Sequence, residues 1–218
     1  MFSSIARPSP AYRGVRAAHM VSSSPADLSI RQVTTLGERL ASEHLVRRMY
    51  SWRGYRVAFR EPKPDDGQRV TLGAWHGGEL AATLTMAVDR GQGLLCEALY
   101  PGEIAGLRQE NRRLCEYSRF AVNPAFSSQK LLRAFFRNAY HLTHRILEAT
   151  HAVIEVNPRH SRFYEQGLGF GRLGSLRICP RVAAPALLLH RDLHLPLPAT
   201  LQDEPASSLE THHHLIAA

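Results

Sequence analysis

The stretch "CEYSRFAV", residues 115–122, places a glutamate and an arginine in a run that otherwise reads as the interior of a strand. A carboxylate there is costly unless it is paired or faces a cleft. The residues alone leave two readings. Glu116 belongs to a buried Glu–Arg or Glu–His network tying strands together, or it faces a substrate amine and takes its proton as general base, directly or through water. On a regular strand Glu116, Ser118 and Phe120 share one face, and Cys115, Tyr117, Arg119 and Ala121 share the other. A bulge between Glu116 and Arg119 would change that division. Cys115 opposite Glu116 speaks against a covalent cysteine intermediate.

A second chemical stretch is "EVNPRHSRFYEQGLGF", residues 155–170. A strand is expected to end at Asn157, and Pro158 to open a helix with His160 and Tyr164 four apart on one face. A helix N-terminus beside a strand end offers N–H groups to a carbonyl, thiolate or phosphate oxygen. In that setting Tyr164 protonates a leaving thiolate while His160 assists the amine or orients a partner. The alternative makes Phe163 and Tyr164 core aromatics and His160 a local cap.

These residues need elements to hold them. "LSIRQVT" alternates like a first strand, and Thr35 with Glu38 forms a capping box before a helix carrying Leu36, Leu40, Leu45 and Met49. "VTLGAWHGGELAATLTMAV" reads as a hairpin turning at its glycines, and "PGEIAGLRQENR" as a short helix. The strand around Glu116 stops at Asn123-Pro124. "SSQKLLRAFFRNAYHLTHRILEAT" is expected to form the longest helix, with "HAVIEVN", the short helix at Pro158 and two further extended segments after it. The pattern is α+β, with a mixed central sheet covered by helices on both faces.

Lys130, Arg133, Arg137, His141 and His144 recur at steps of three and four along that long helix. They fall within roughly 80° of one another, a single basic stripe. Such a stripe is either a solvated face or a dock for an acidic partner.

The element order, together with "NPRHSRFYEQGLGF", resembles the GCN5-related N-acetyltransferase (GNAT) superfamily. "ALYPGEIAGLRQENRRLCEYSRFAV" narrows this: it is similar to the FeeM-like N-acyl amino acid synthases that use acyl carrier protein. Glu116, Ser118, Arg119 and Phe120 also resemble the Glu-x-(Ser/Thr)-Arg-Phe motif of acyl-homoserine-lactone synthases, and Arg47, Tyr50 and Trp52 those enzymes' first-helix residues. The resemblance covers roughly residues 28–194. It implies an N-acyltransferase that moves a long-chain fatty acyl group to the amine of an amino acid, by direct attack in a ternary complex. Its catalytic residues would be Glu116, Tyr164 and His160, and its substrate contacts Arg119, Ser118, Phe120, Asn157 and Arg47. Arg119, Arg159 and Arg162 are candidate partners for an amino acid's carboxylate.

One departure bears on the donor. Coenzyme A users of this superfamily carry a glycine-rich loop after this strand, whose N–H groups cradle a pyrophosphate. Here the stretch is "NPAFSSQKLLRAF", without a glycine. That fits an acyl carrier protein bearing 4'-phosphopantetheine as co-substrate, with no bound cofactor. Ser127 and Ser128 would meet the arm's phosphate, and Lys130, Arg133 and Arg137 the acidic carrier. The rivals are an acetyl-CoA-dependent amine N-acetyltransferase, an acyl-homoserine-lactone-type synthase, and a non-catalytic acyl-carrier or nucleic-acid binding module. Against the lactone branch, Asp65 and Asp66 are adjacent rather than spaced, and "ATLTMAV" lacks the expected arginine.

Composition sets the outer limits. The 218 residues suffice for one domain, expected over 27–197, between a basic N-terminal tail (1–26) and a C-terminal tail (198–218). A net charge of +8 calls for an acidic partner. No zinc-finger spacing, RNP-like strand or basic-region heptad points to nucleic acid. Three scattered cysteines without a CxxC pair point to no metal and to a cytoplasmic, reducing setting. No apolar run approaches the ~18 residues of a membrane span, so any membrane contact would be transient, through the lipid product.

Overall fold

The computed structural model describes residues 28–56, 68–110 and 112–202. Asp65, Asp66, the arginines of the N-terminal tail and the three terminal histidines lie outside these residues. Among the described residues eight strands form the sheet: β1 (Leu28–Gln32), β2 (Arg69–His76), β3 (Glu79–Val88), β4 (Leu114–Val122), β5 (His151–Val156), β6 (Gly171–Arg172), β7 (Arg177–Cys179) and β8 (Ala184–Asp192). Their order is β1-β2-β3-β4-β5-β8-β6, with β7 pairing β8 to one side. The β2–β3 hairpin turns on Gly77 and Gly78, at φ 56° and 83°. Two consecutive positive φ values are what a two-residue hairpin turn demands, and glycine adopts them without strain.

Four helices among the described residues cover both faces. α1 (Leu36–Trp52) opens on the Thr35–Glu38 capping box, and α2 (Pro101–Gln109) on a proline in its first turn. α1 packs through Leu45, Val46 and Met49 on Leu80 and Ala121. α2 packs through Ile104 and Leu107 on Leu114, Val153 and Leu188. The opposite face carries α3 (Gln129–His141), whose Phe135 and Phe136 join Cys115, Tyr117 and Ile154 in the main core. α4 (Pro158–Arg162) runs into a wider turn, Phe163–Gly167, that seats Tyr164 and Phe170 in the same core. This is the expected α+β fold with helices on both faces.

Some expectations change. The regular part of α3 has 13 residues against 17 in α1, so α3 is not the longest helix. It loosens into a π-type turn at Leu142–Ile146, where His144 leaves the basic stripe, meets the Ala149 carbonyl at 3.2 Å and stacks edge-on against His194. Packing reaches past Leu197: a short 3-10 turn at Ala199–Leu201 buries Leu201 in the main core.

Candidate active site

The site begins at an irregularity in β4. Ser118 pairs with Thr85 and Ala121 with Thr83, so Arg119 and Phe120 together stand opposite Leu84 alone. Arg119 sits at φ 57°. This is a bulge, and it reverses the alternation expected of a regular strand. Arg119 turns to α1, where it pairs with the buried Glu43, and Ala121 follows it to that face. Phe120 crosses to α3 and packs against Phe136 at 4.9 Å between ring centres. Glu116 and Arg119 therefore share a face, and Phe120 has left it.

The bulge coincides with a divergence of strands. β4 and β5 run parallel and paired from Leu114/His151 to Tyr117/Ile154. Beyond that level β4 follows β3 to Val122 while β5 follows β8 to Val156. Between them opens a cavity of about 620 Å³, a volume usual for small-molecule sites. β4 lines it from Glu116 to Val122, six steps at ~3.3 Å, or roughly 20 Å of path. Leu95, Glu116 and Arg181 line it beside the 3-10 turn Leu95–Ala98, and Ser127 and Leu132 beside the start of α3.

Glu116 is 1% exposed. Its two carboxylate oxygens accept the backbone N–H groups of Leu95 at 2.6 Å and Cys96 at 2.9 Å. Burial pushes its pKa above the ordinary carboxylate range, against the pull of those two N–H groups and of Arg181. The result is a carboxylate fixed in place and more basic than usual, with lone pairs to spare. Glu155, on the next strand, completes the acidic wall. It accepts from Arg181 at 2.6 Å, and Arg181 also donates to the Leu95 carbonyl at 2.5 Å. Glu116 is level with Val153, so Glu155 stands two residues nearer the divergence. Sequence reasoning passed over Glu155, although a charge inside "HAVIEV" is the same signal that singled out Glu116.

Other expected site residues divide by what already holds them. Tyr164 is buried, lines the cavity, and has its pKa raised well beyond the ordinary phenol value by burial. His160 lines it too. Its Nε2 faces Arg53 Nη1 at 2.9 Å, so that nitrogen is the acceptor and the ring is neutral. Burial, Arg53 and Arg159 all lower its pKa. Asn157 caps α4 through Oδ1 and ties it to the Pro185 carbonyl through Nδ2. Ser118 lines the cavity and donates to the Thr85 carbonyl at 3.5 Å. Arg47 is exposed and does not line the cavity; Val46, Met49, Tyr50 and Arg53 are the face α1 presents. Tyr50, its pKa pushed up to about 12 by burial, stands near Arg119, Glu155 and Arg53.

At the α3 end Ser128 is the N-cap, accepting from the Leu131 N–H at 3.1 Å. Ser127 is exposed and lines the cavity. Lys130 and Arg133 are exposed and Arg137 is half-buried. Cys115 lies in the core on the face away from Glu116.

A family model described as N-acyl amino acid synthase FeeM matches residues 41–192. Among solved structures, FeeM, an N-acyl amino acid synthase from uncultured soil microbes, aligns with a TM-score of 0.70 at 25% identity, over 77% of this chain and 92% of that one. An acyl-CoA N-acyltransferase from Pseudomonas aeruginosa aligns with a TM-score of 0.53 at 18% identity, over 76% of this chain and 98% of that one. The AHL synthase LasI does so at 0.52 and 15%, over 76% and 89%. These last two share the fold. No curated protein matches the sequence.

Proposed function

The chain belongs to the N-acyl amino acid synthase FeeM family, enzymes that acylate an amino acid's amine, and we propose that it takes a long-chain fatty acyl group from an acyl carrier protein and transfers it directly in a ternary complex. The observation that carries this reading is the cavity itself. It runs from the buried, basic Glu116 through the divergence of β4 and β5 to the exposed start of α3. One continuous space can therefore hold an amine beside Glu116 and a thioester arm laid past the start of α3.

The acceptor amine attacks the thioester carbonyl carbon, a C–N bond forms, and Glu116 takes the amine's proton. Collapse of the tetrahedral adduct breaks the C–S bond. Tyr164, kept protonated by burial, donates a hydrogen bond to the departing sulfur. The thiolate of a thiol with pKa about 8.5 is too weak a base to take that proton outright, so the sulfur leaves as thiolate and is protonated from water. Neutral His160, fixed by Arg53, orients that end of the cavity.

Ser127, Lys130 and the first N–H groups of α3 suit the single phosphate of 4'-phosphopantetheine. Ser128 is already spent on the cap. Exposed Lys130 and Arg133, with Arg137 beside them, form a basic face for an acidic carrier protein. Carrier and enzyme would meet in the cytoplasm.

The test is mass spectrometry of lipid extracts from cells expressing the protein, against a Glu116→Gln control. New long-chain N-acyl amino acids absent from the control support the reading. Extracts without them, together with acetyl transfer from coenzyme A to amines by the purified protein, overturn it.

A further inference from the structure

Among the described residues four arginines line the cavity: Arg53, Arg56, Arg119 and Arg181. Three are committed. Arg53 donates to His160, Arg119 pairs with Glu43, and Arg181 bridges Glu155 and the Leu95 carbonyl. Among the described residues Arg56 has no partner for its guanidinium. Its neighbour Tyr55 carries a buried hydroxyl that also lacks a hydrogen-bond partner among them. A buried, unsatisfied hydroxyl costs free energy unless a ligand supplies the missing bond.

The Tyr55 ring and the backbone of both residues are held in place. The Tyr55 ring stands edge-on to Tyr50 at 5.8 Å, and the Arg159 guanidinium lies over it at 5.8 Å. The Tyr55 N–H donates to the Tyr50 carbonyl at 3.0 Å, and the Arg56 N–H to the Val182 carbonyl at 3.3 Å. Val182 follows Arg181, which grips Glu155. The one uncommitted cation among the described lining residues therefore shares its cavity with the acidic wall of Glu155 and Glu116. An α-amino acid needs that arrangement, because its ammonium and carboxylate are attached to the same carbon.

We propose that Arg56, with the Tyr55 hydroxyl, binds the carboxylate of the acceptor amino acid and so turns its amine toward Glu116. This rests on the synthase reading above. It replaces the cations read from sequence: Arg119 is paired, Arg159 is bonded to Asn157 and stacked on Tyr55, and Arg162 is bonded to Gln166. Arg56 is a positioning and specificity residue; it takes no part in bond making.

The experiment takes the best acceptor from a panel of the twenty amino acids and compares it with its methyl ester, using one acyl carrier donor throughout. Wild type is expected to prefer the free acid by roughly 10- to 100-fold in kcat/KM, the loss typical of an unpaired charged hydrogen bond. Arg56→Ala should lose that factor on the acid, mainly in KM, and leave the ester unchanged. Arg56→Lys should keep part of it, since a point charge replaces a planar fork. Tyr55→Phe should cost the acid several-fold and spare the ester. Arg56→Ala retaining the preference, or losing acid and ester alike, overturns the assignment while leaving the synthase reading intact. A wild type that acylates amines but neither amino acids nor their esters overturns the synthase reading and this assignment together.

Discussion

Glu116→Gln separates two roles that the structure assigns to one side chain. Gln keeps the size but replaces one acceptor oxygen with an NH2 donor, set against an N–H of Leu95 or Cys96. Losing one charge-assisted bond at a buried site costs about 1–3 kcal/mol, or about 2–12 °C in Tm for a domain of this size. A typical domain has about 5–15 kcal/mol to lose, so the variant folds. The sign with pH is set by the raised pKa of the buried carboxyl. Stability from a group whose folded pKa lies above its unfolded one is present at acid pH and lost as pH rises through the folded value. The gap in stability between wild type and variant should therefore narrow as pH rises. Catalysis responds differently. Removing a general base costs about 100- to 10,000-fold in kcat. The deficit should be widest above the raised pKa of Glu116 and below that of the acceptor amine. At lower pH wild type loses its own base, and at higher pH free amine is abundant. Differential scanning calorimetry and single-turnover rates across pH 5–10 read both effects. A variant with lowered Tm and a kcat within threefold of wild type throughout would make Glu116 a clamp on the 3-10 turn and refute its role as base.

Three further outcomes follow from other parts of the structure. Tyr164→Phe removes the donor to sulfur and should lower kcat about 10- to 100-fold with KM unchanged; a change below twofold in single-turnover rate would remove Tyr164 from the chemistry. Combined Arg133→Glu and Arg137→Glu should raise KM for carrier-bound donor about tenfold at low salt, with less effect at high salt, and spare a carrier-free pantetheine thioester. Unchanged KM at low salt would move the dock elsewhere. Gly169→Ala should destabilise by about 3 kcal/mol, lowering Tm by about 6–12 °C. Gly169 has φ +69°, and a Cβ there would lie 2.1 Å from Arg191 Nη1, so a Tm drop below 2 °C would contradict the packing.

Most of the architecture could be read from residue patterns because the patterns are local. The capping box at Thr35, the glycine pair at the hairpin and the prolines opening α2 and α4 each fix a few dihedrals by their own chemistry. Glu116 stood out for the same reason, as a charge inside an apolar strand. What escaped depended on distant partners. Nothing near Arg119 in the sequence reveals that Glu43, 76 residues away, will claim it. Arg56 becomes interesting only once the other three arginines of the cavity are seen to be occupied. Arg47 was off by register: a helix face is set by what packs beneath it, and Val46, Met49, Tyr50 and Arg53 took the inner positions.

The bulge at Arg119 and Phe120 shows why strand period alone could not build this site. With regular alternation, Phe120 would occupy the face of Glu116, and Arg119 would be driven into the aromatic core beside Phe135 and Phe136. One extra residue solves both problems. It sends Phe120 to the aromatics and Arg119 to Glu43. It also turns β4 with β3 and away from β5 just where their pairing ends, at Tyr117 and Ile154. A non-glycine residue at positive φ is strained, and here α1 helps hold that strain through the ion pair. The same local departure from a regular strand accompanies the opening of the cavity, moves Phe120 off the face that Glu116 occupies, and leaves Glu116 facing the space where an amine and a thioester could meet.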